Sequence, residues 1–281
     1  MSPPAIGPIR WATLLAPSID VVVDGYRAAL DVTIDPMTPL DRAEADRLGL
    51  EDLADAPTGW LRRPDGTPFL RLVEDPHAID AGPPMHRDGW MALECLVDAV
   101  DDIVARLPPA FTVLGPPADL DVSPRIRAAQ VLGPCGELWY LTQVRAEVPP
   151  FDLPLSGREP PGIFIGVIRC HDRDAERAFW LAAGGGASWT FDTRITVLNR
   201  ALGRPLDDRH PVAVVQLAGR SLVEIDEVRD VAATKVDGRP RGVWSLAIAR
   251  SDNARSSVVS PAGARIAWLA PNDPAGSIQQ R

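Results

Sequence analysis

The stretch HPVAVVQLAGRSLVEIDEV, residues 210–228, reads as two strands folded back on each other through a glycine turn at Ala218-Gly219. Its second arm carries Glu224 between Val223 and Ile225, with Asp226 two residues further on. A period of two sets Leu222, Glu224 and Asp226 on one face, and Val223 and Ile225 on the other, where they can pack under a helix. A carboxylate in such a strand is costly unless it meets a partner, a metal or a wet cavity. The two acids are therefore expected to look into a cup.

The same strand, turn and returning strand recur in LRRPDGTPFLRLVE (61–74), VLGPCGELWYLTQ (131–143) and, more weakly, SSVVSPAGARIAWLAP (256–271). Each hairpin is preceded by a further strand candidate: RWATLLA (10–16), GWMALECLV (89–97), GIFIGVIRC (162–170) and GVWSLAIAR (242–250). After the first three come helix-like segments with acidic first turns, DVVVDGYRAAL (20–30), DAVDDIVARL (98–107) and DRDAERAFWLAA (172–183). The recurring unit is βαβββ, and the fold class is α+β. Units one and three carry inserted helical stretches at 39–54 and 193–203. In the fourth unit only about ten residues separate Arg250 from the turn at 261–263, too few for a crossover helix. That unit is expected to be truncated.

The segments MALECLVDAVDDIVARL, GPCGELWYLTQ, FIGVIRCHDRDAERAFW and AGRSLVEID resemble the vicinal oxygen chelate superfamily, the fold of glyoxalases, bleomycin-resistance proteins and extradiol dioxygenases. The run ITVLNRALGRPLDDRHPVAVVQLAGRSLVEID resembles a bacterial branch of it. The resemblance covers most of the chain and implies duplicated βαβββ modules that pair into two open-barrel cups. Modules one and two (residues 1–146) would make one cup, residues 147–161 a Pro-rich linker, and modules three and four (162–281) a second. It also implies a metal site, with ligands near the start of each first strand and midway along each fourth strand. The matching first-strand positions are Trp11, Ala92, Ile165 and Ser245; the fourth-strand ones are Arg71, Tyr140, Glu224 and Ala267 or Trp268. A register shift would bring in Glu94 or Glu137 but no pair of histidines. A catalytic divalent metal needs about three protein ligands, so the expectation is a chain that has lost its metal and needs no cofactor.

Composition narrows the partners. The net charge is −9, and no basic cluster stands out for nucleic acid. Cys95, Cys135 and Cys170 are too far apart for a zinc knot or a disulfide framework, which suits a reducing compartment. No run of apolar residues spans a membrane and the N-terminus lacks a leader pattern. A cytoplasmic, small-molecule protein is expected. Apolar sheet left open by the short fourth module could be covered by the linker or by a second chain in a homodimer.

The candidate site residues follow from strand alternation. Glu224 and Asp226 face one cup. In the other, Trp11, Thr13, Phe69, Arg71, Glu94, Tyr140 and Thr142 would combine aromatic surface with a few polar groups, as a ligand pocket requires. Glu224, Glu94 or Tyr140 could move a proton and Arg71 could hold an anion. His210, at the start of the strand leading to Glu224, is a further proton-transfer candidate. The bland alternatives are a vestigial Glu224, an Arg71–Glu94 ion pair, and aromatic packing without recognition. Two functions fit: a metal-independent lyase or isomerase that abstracts a proton from a small aromatic or carbonyl compound, and a protein that binds an aromatic compound without catalysis. Metal-dependent dioxygenase or glyoxalase chemistry requires a shifted register.

Overall fold

The computed structural model describes residues 3–30, 32–252, 255–271 and 273. Module one comprises β1 (Ile6–Ala16), α1 (Ile19–Ala29), β2 (Thr33–Ile34), β3 (Thr38–Pro39), α2 (Arg42–Leu48), β4 (Pro57–Arg62) and β5 (Pro68–Glu74). Module two follows as β6 (Gly89–Leu96), α3 (Val100–Ala105), β7 (Thr112–Leu120), β8 (Ser123–Leu132) and β9 (Leu138–Val144). Module three has β10 (Gly162–Cys170), α4 (Arg173–Ala182), β11 (Ser188–Arg194), α5 (Thr196–Ala201), β12 (Arg209–Gln216) and β13 (Leu222–Glu227). Module four keeps only β14 (Gly242–Arg250), β15 (Ser256–Val259) and β16 (Arg265–Leu269). Among the described residues of 251–260 there is no helix; positions 253 and 254 lie outside them.

In every module the first strand runs parallel to the last: β1 with β5, β6 with β9, β10 with β13, β14 with β16. The free edge of each first strand then pairs antiparallel with the first strand of another module. That partner is not the expected one. β1 pairs with β14, and β6 pairs with β10, so modules one and four share one curled sheet and modules two and three the other. The expected cups, one plus two and three plus four, are corrected accordingly. Locally the reason is the connector after β9. Ser156 accepts from the Val144 amide at 2.9 Å and donates to the Val97 carbonyl at 2.7 Å. The connector thus folds back beside its own module and delivers β10 to the open edge of β6.

The two sheets meet through their convex faces, with α1, α3 and α4 in the same apolar core. Val223 and Ile225 point there, together with Leu93, Ile168, Leu246 and Trp268. Gly166 on β10 marks the closest approach, because an added Cβ would lie 2.5 Å from Leu246 Cδ1 and 2.6 Å from a Trp90 ring carbon. Helix ends follow local chemistry. The Asp172 side chain caps α4 by accepting from the Ala175 amide, and Asp41 does the same for α2 from Glu44, while Gly49 closes α2 at φ 67°.

Candidate functional site

The concave face of the β6–β10 sheet holds the acids. Glu94 on β6 stands level with Tyr140 on β9 and with Ile165 on β10; Glu224 on β13 stands level with Val167 on β10. The two carboxyls are therefore offset by one pleat across β10, facing the same cup. Glu94, Tyr140, Thr142 and Glu224 line a cavity of about 140 Å³, whose remaining wall is largely apolar: Phe151, Leu153, Phe164, Phe191 and Val197 among others. This is the volume of a pocket that takes a benzene-sized ring.

Burial governs the chemistry of this group. Glu94 is pushed well above the ordinary carboxylate range by desolvation and then by the charge of Glu224, while Thr142, donating to Glu94 Oε1 at 2.7 Å, partly opposes the shift. Glu224 is raised by desolvation too, with its hydrogen bond to Asp226 partly opposing the shift. Asp226 is raised by desolvation, then by the charge of Glu224 and by a side-chain hydrogen bond shared with it. The Tyr140 phenol, without a hydrogen-bond partner among the described residues, is raised by burial and by all three acids. No cation figures among the charges acting on these four groups. Burial and mutual repulsion thus favour the protonated forms of these acids.

The fold family implies a divalent metal in such a cup. The acidic and phenolic donors at the cavity wall are Glu94 and Glu224 on the two strands flanking β10, Tyr140, and Asp121, which is paired with Arg194, and no histidine is among them. Among the described residues no three His, Cys, Asp or Glu side chains gather as a ligand group. The residues do not fit a divalent ion as a three-ligand site would hold it.

The remaining candidates lie elsewhere. Arg71, Trp11 and Thr13 belong to the β1–β14 sheet, not to the cup of Glu94. Arg71 donates to Thr13 Oγ1 at 3.1 Å through Nη2 and pairs with Glu44 of the inserted helix α2, which replaces the Arg71–Glu94 pair expected from the sequence. Leu40, Ala45, Leu48, Leu50 and Leu53 pack with Leu15, Val73 and Trp244, so the inserted stretch fills that second cup from within. Trp11 meets Trp60 edge to face at 5.1 Å. Phe69 stacks on Trp139 at 5.6 Å in the central core; a register shift opposite it, between Leu61 and Arg62, breaks the alternation that would have set it beside Arg71. His210 is buried against Asn199 Oδ1 at 2.6 Å and does not line the cavity. What the sequence reading missed is the part of the wall made by Phe151 and Leu153 of the Pro-rich connector. Phe151 packs edge to face on Trp189 at 5.2 Å, and an aromatic among prolines was the available signal.

A separate buried acid sets a pH dependence. Glu137 accepts from the Tyr26 hydroxyl, and burial pushes its carboxyl from 4.5 up to about 7. The folded chain thus holds a proton that the unfolded chain releases. The associated stability is full below about 4.5 and lost as pH rises through about 7, on the order of 3 kcal/mol. Urea denaturation of the ligand-free protein should show stability falling across this window, and Glu137→Gln should flatten the fall. An unchanged slope in the variant would remove Glu137 as its source.

Comparison with solved structures agrees with this architecture. Glyoxalase I from Zea mays superposes with a TM-score of 0.61 at 12% identity, covering 95% of this chain and 94% of that one. A putative dioxygenase from Bacillus subtilis superposes with a TM-score of 0.60 at 10% identity, over 98% and 87%. No protein-family model matches the chain, and no curated protein matches its sequence. The chain has the vicinal oxygen chelate fold, as duplicated βαβββ modules in two curled sheets. Among the described residues no helix is long and apolar enough to cross a membrane.

Proposed function

We propose that the cup between β6 and β13 is the active site of a metal-independent lyase or isomerase that moves a proton on a small carbonyl-containing or aromatic compound. The observation that carries this reading is the pair Glu94 and Glu224, two carboxyls desolvated in one largely apolar cavity whose wall holds one cation, Arg194, itself paired with Asp121. In the reactive, half-protonated form of the pair Glu94 holds the proton and Glu224 is ionised. Glu224 then acts as the base, taking a proton from the carbon next to the carbonyl. The electron pair moves onto the carbonyl oxygen, where the Tyr140 hydroxyl or protonated Glu94 donates a hydrogen bond to the developing enolate. Return of a proton to a different face or carbon completes an isomerisation; expulsion of a β-substituent completes an elimination.

The test is deuterium entry from D2O into a panel of small ketones, 2-oxo acids and aryl carbonyl compounds, followed by mass spectrometry on protein dialysed against chelator. Exchange with at least one class, undiminished by the chelator, is expected. Exchange that disappears with the chelator and returns with a divalent ion would overturn metal independence. The aromatic wall of Phe151, Phe164 and Phe191 favours a second reading, sequestration of an aromatic compound. Saturable binding of aryl compounds with no exchange in any of them would select it.

A further inference from the structure

A second cavity lies on the other side of the molecule, where the start of β6, the end of β10 and the β14–β16 sheet come together beneath the segment 231–240. It encloses about 710 Å³, far more than the acidic cup. Its wall carries Arg87, Arg169, Lys235, Arg239 and Arg265 against a single carboxylate, Asp88. In a chain of net charge −9, this concentration of positive charge is opposite to the average surface.

Some of these cations are accounted for. Arg169 pairs with Asp88 and donates to the Val231 carbonyl at 2.7 Å, and Arg239 reaches Asp75 at 2.6 Å and Asp52 at 2.9 Å. The rest are not. Among the described residues no carboxylate lies within ion-pair distance of Arg87, Lys235 or Arg265. The Arg265 guanidinium sits 4.1 Å above the Trp244 ring, held by the aromatic face with no anion. The Nε of Arg169, a residue with no exposed surface, has no hydrogen-bond partner. Burial depresses both Arg87 and Arg265 from the usual guanidinium range, opposed at Arg87 by the charge of Asp80, which is itself paired with Arg241, so an anion beside these guanidinium groups would be attracted more strongly than at an open surface. The segment over the cavity is fixed at both ends: the Thr234 amide donates to the His86 carbonyl at 2.7 Å, and the Ile79 amide to the Arg239 carbonyl at 2.9 Å. The cavity is therefore built, not a fold of loose chain.

We propose that this cleft binds a phosphorylated small metabolite, with Arg87, Lys235 and Arg265 holding the phosphate and the remaining volume taking the organic part. Guanidinium groups match phosphate oxygens in geometry as well as charge, and ligand pockets for organic molecules span the size seen here. Inorganic phosphate would fill only a fraction of it.

The test is isothermal titration of the full chain at low salt with inorganic phosphate, glucose 6-phosphate, adenosine diphosphate and uncharged glucose. Saturable binding of at least one organic phosphate is expected, tighter than inorganic phosphate, weakened by added salt, and absent for glucose. The Arg87→Gln/Arg265→Gln variant should bind at least about tenfold more weakly, the scale for losing a charge-assisted contact. Lys235→Glu, on an exposed side chain, gives the same direction without disturbing the core, and Glu224→Gln leaves this binding unchanged. No saturable binding of either ester by about 10 mM, an affinity too weak to matter physiologically, would overturn the proposal. So would equal affinity in wild type, the double variant and Lys235→Glu, or binding of inorganic phosphate alone.

Discussion

Glu224→Gln will leave the protein folded and lower solvent deuterium entry by about 10²-fold or more, the scale for removing a positioned general base. The amide keeps the volume of the carboxyl, so the cavity and its ligand affinity persist. The variant should also be more stable than the wild type at neutral and alkaline pH. In the wild type, desolvation raises the Glu224 carboxyl, so ionising it as pH rises costs folded stability; glutamine has nothing to ionise. Lost turnover joined to gained stability is a signature that a structural ion pair cannot produce, because breaking such a pair strands a charge and destabilises. Urea denaturation and the exchange assay on the same preparation read both. Full turnover in the variant would make Glu224 a remnant and move the test to Glu94→Gln.

Trp180→Ala is expected to cost about 3–5 kcal/mol, the range for truncating a large core aromatic. Trp180 on α4 is fully buried and touches Trp90 of one sheet at 6.1 Å and Trp268 of the other at 6.2 Å, with Phe179 at 5.6 Å. Its indole also donates to Glu176 Oε1 at 3.0 Å, while Glu176 Oε2 accepts from the Ala262 amide of module four at 2.8 Å. Truncation would open a void at the seam between the sheets and leave a buried carboxyl short of a donor. Chemical denaturation measures it; a loss under about 1 kcal/mol would show the seam collapsing around the gap.

Much of the fold was legible because strand alternation and turn chemistry are local. The hairpin at 215–227 fixed the facing of Glu224, and the ten residues after Arg250 were too few for a helix, whatever the rest of the chain did. The pairing of modules was not legible. Every first strand offers a similar apolar edge, and nothing in β1 distinguishes β6 from β14 as a neighbour. That one ambiguity split the site: Glu94 and Tyr140 were placed with Arg71, and Glu224 apart from them, although all but Arg71 share a cup. Glu44, the partner of Arg71, lay in an inserted helix whose docking depends on tertiary packing, which no local pattern reports. Phe69 and His210 failed for a related reason. A register shift turned one side chain into the core, and a neighbouring Asn199 took up the other.

The nesting of one pair of modules inside the other also bears on how the chain is made. Strands β6 to β13 belong to consecutive modules, so their sheet can close while synthesis is still under way. β1 emerges first yet must wait for β14, nearly the whole length of the polypeptide later. Until then one edge of β1 remains open to incorrect neighbours, the situation in which long-range strand pairing becomes slow and prone to association. Helix α2 and its flanking leucines pack on Leu15 and Val73 of the same module and on Trp244 of β14, so that cluster too is completed only when β14 arrives. Among the described residues only β14 pairs with that edge, so the last module, though stripped of its helix, is the clasp that closes the first.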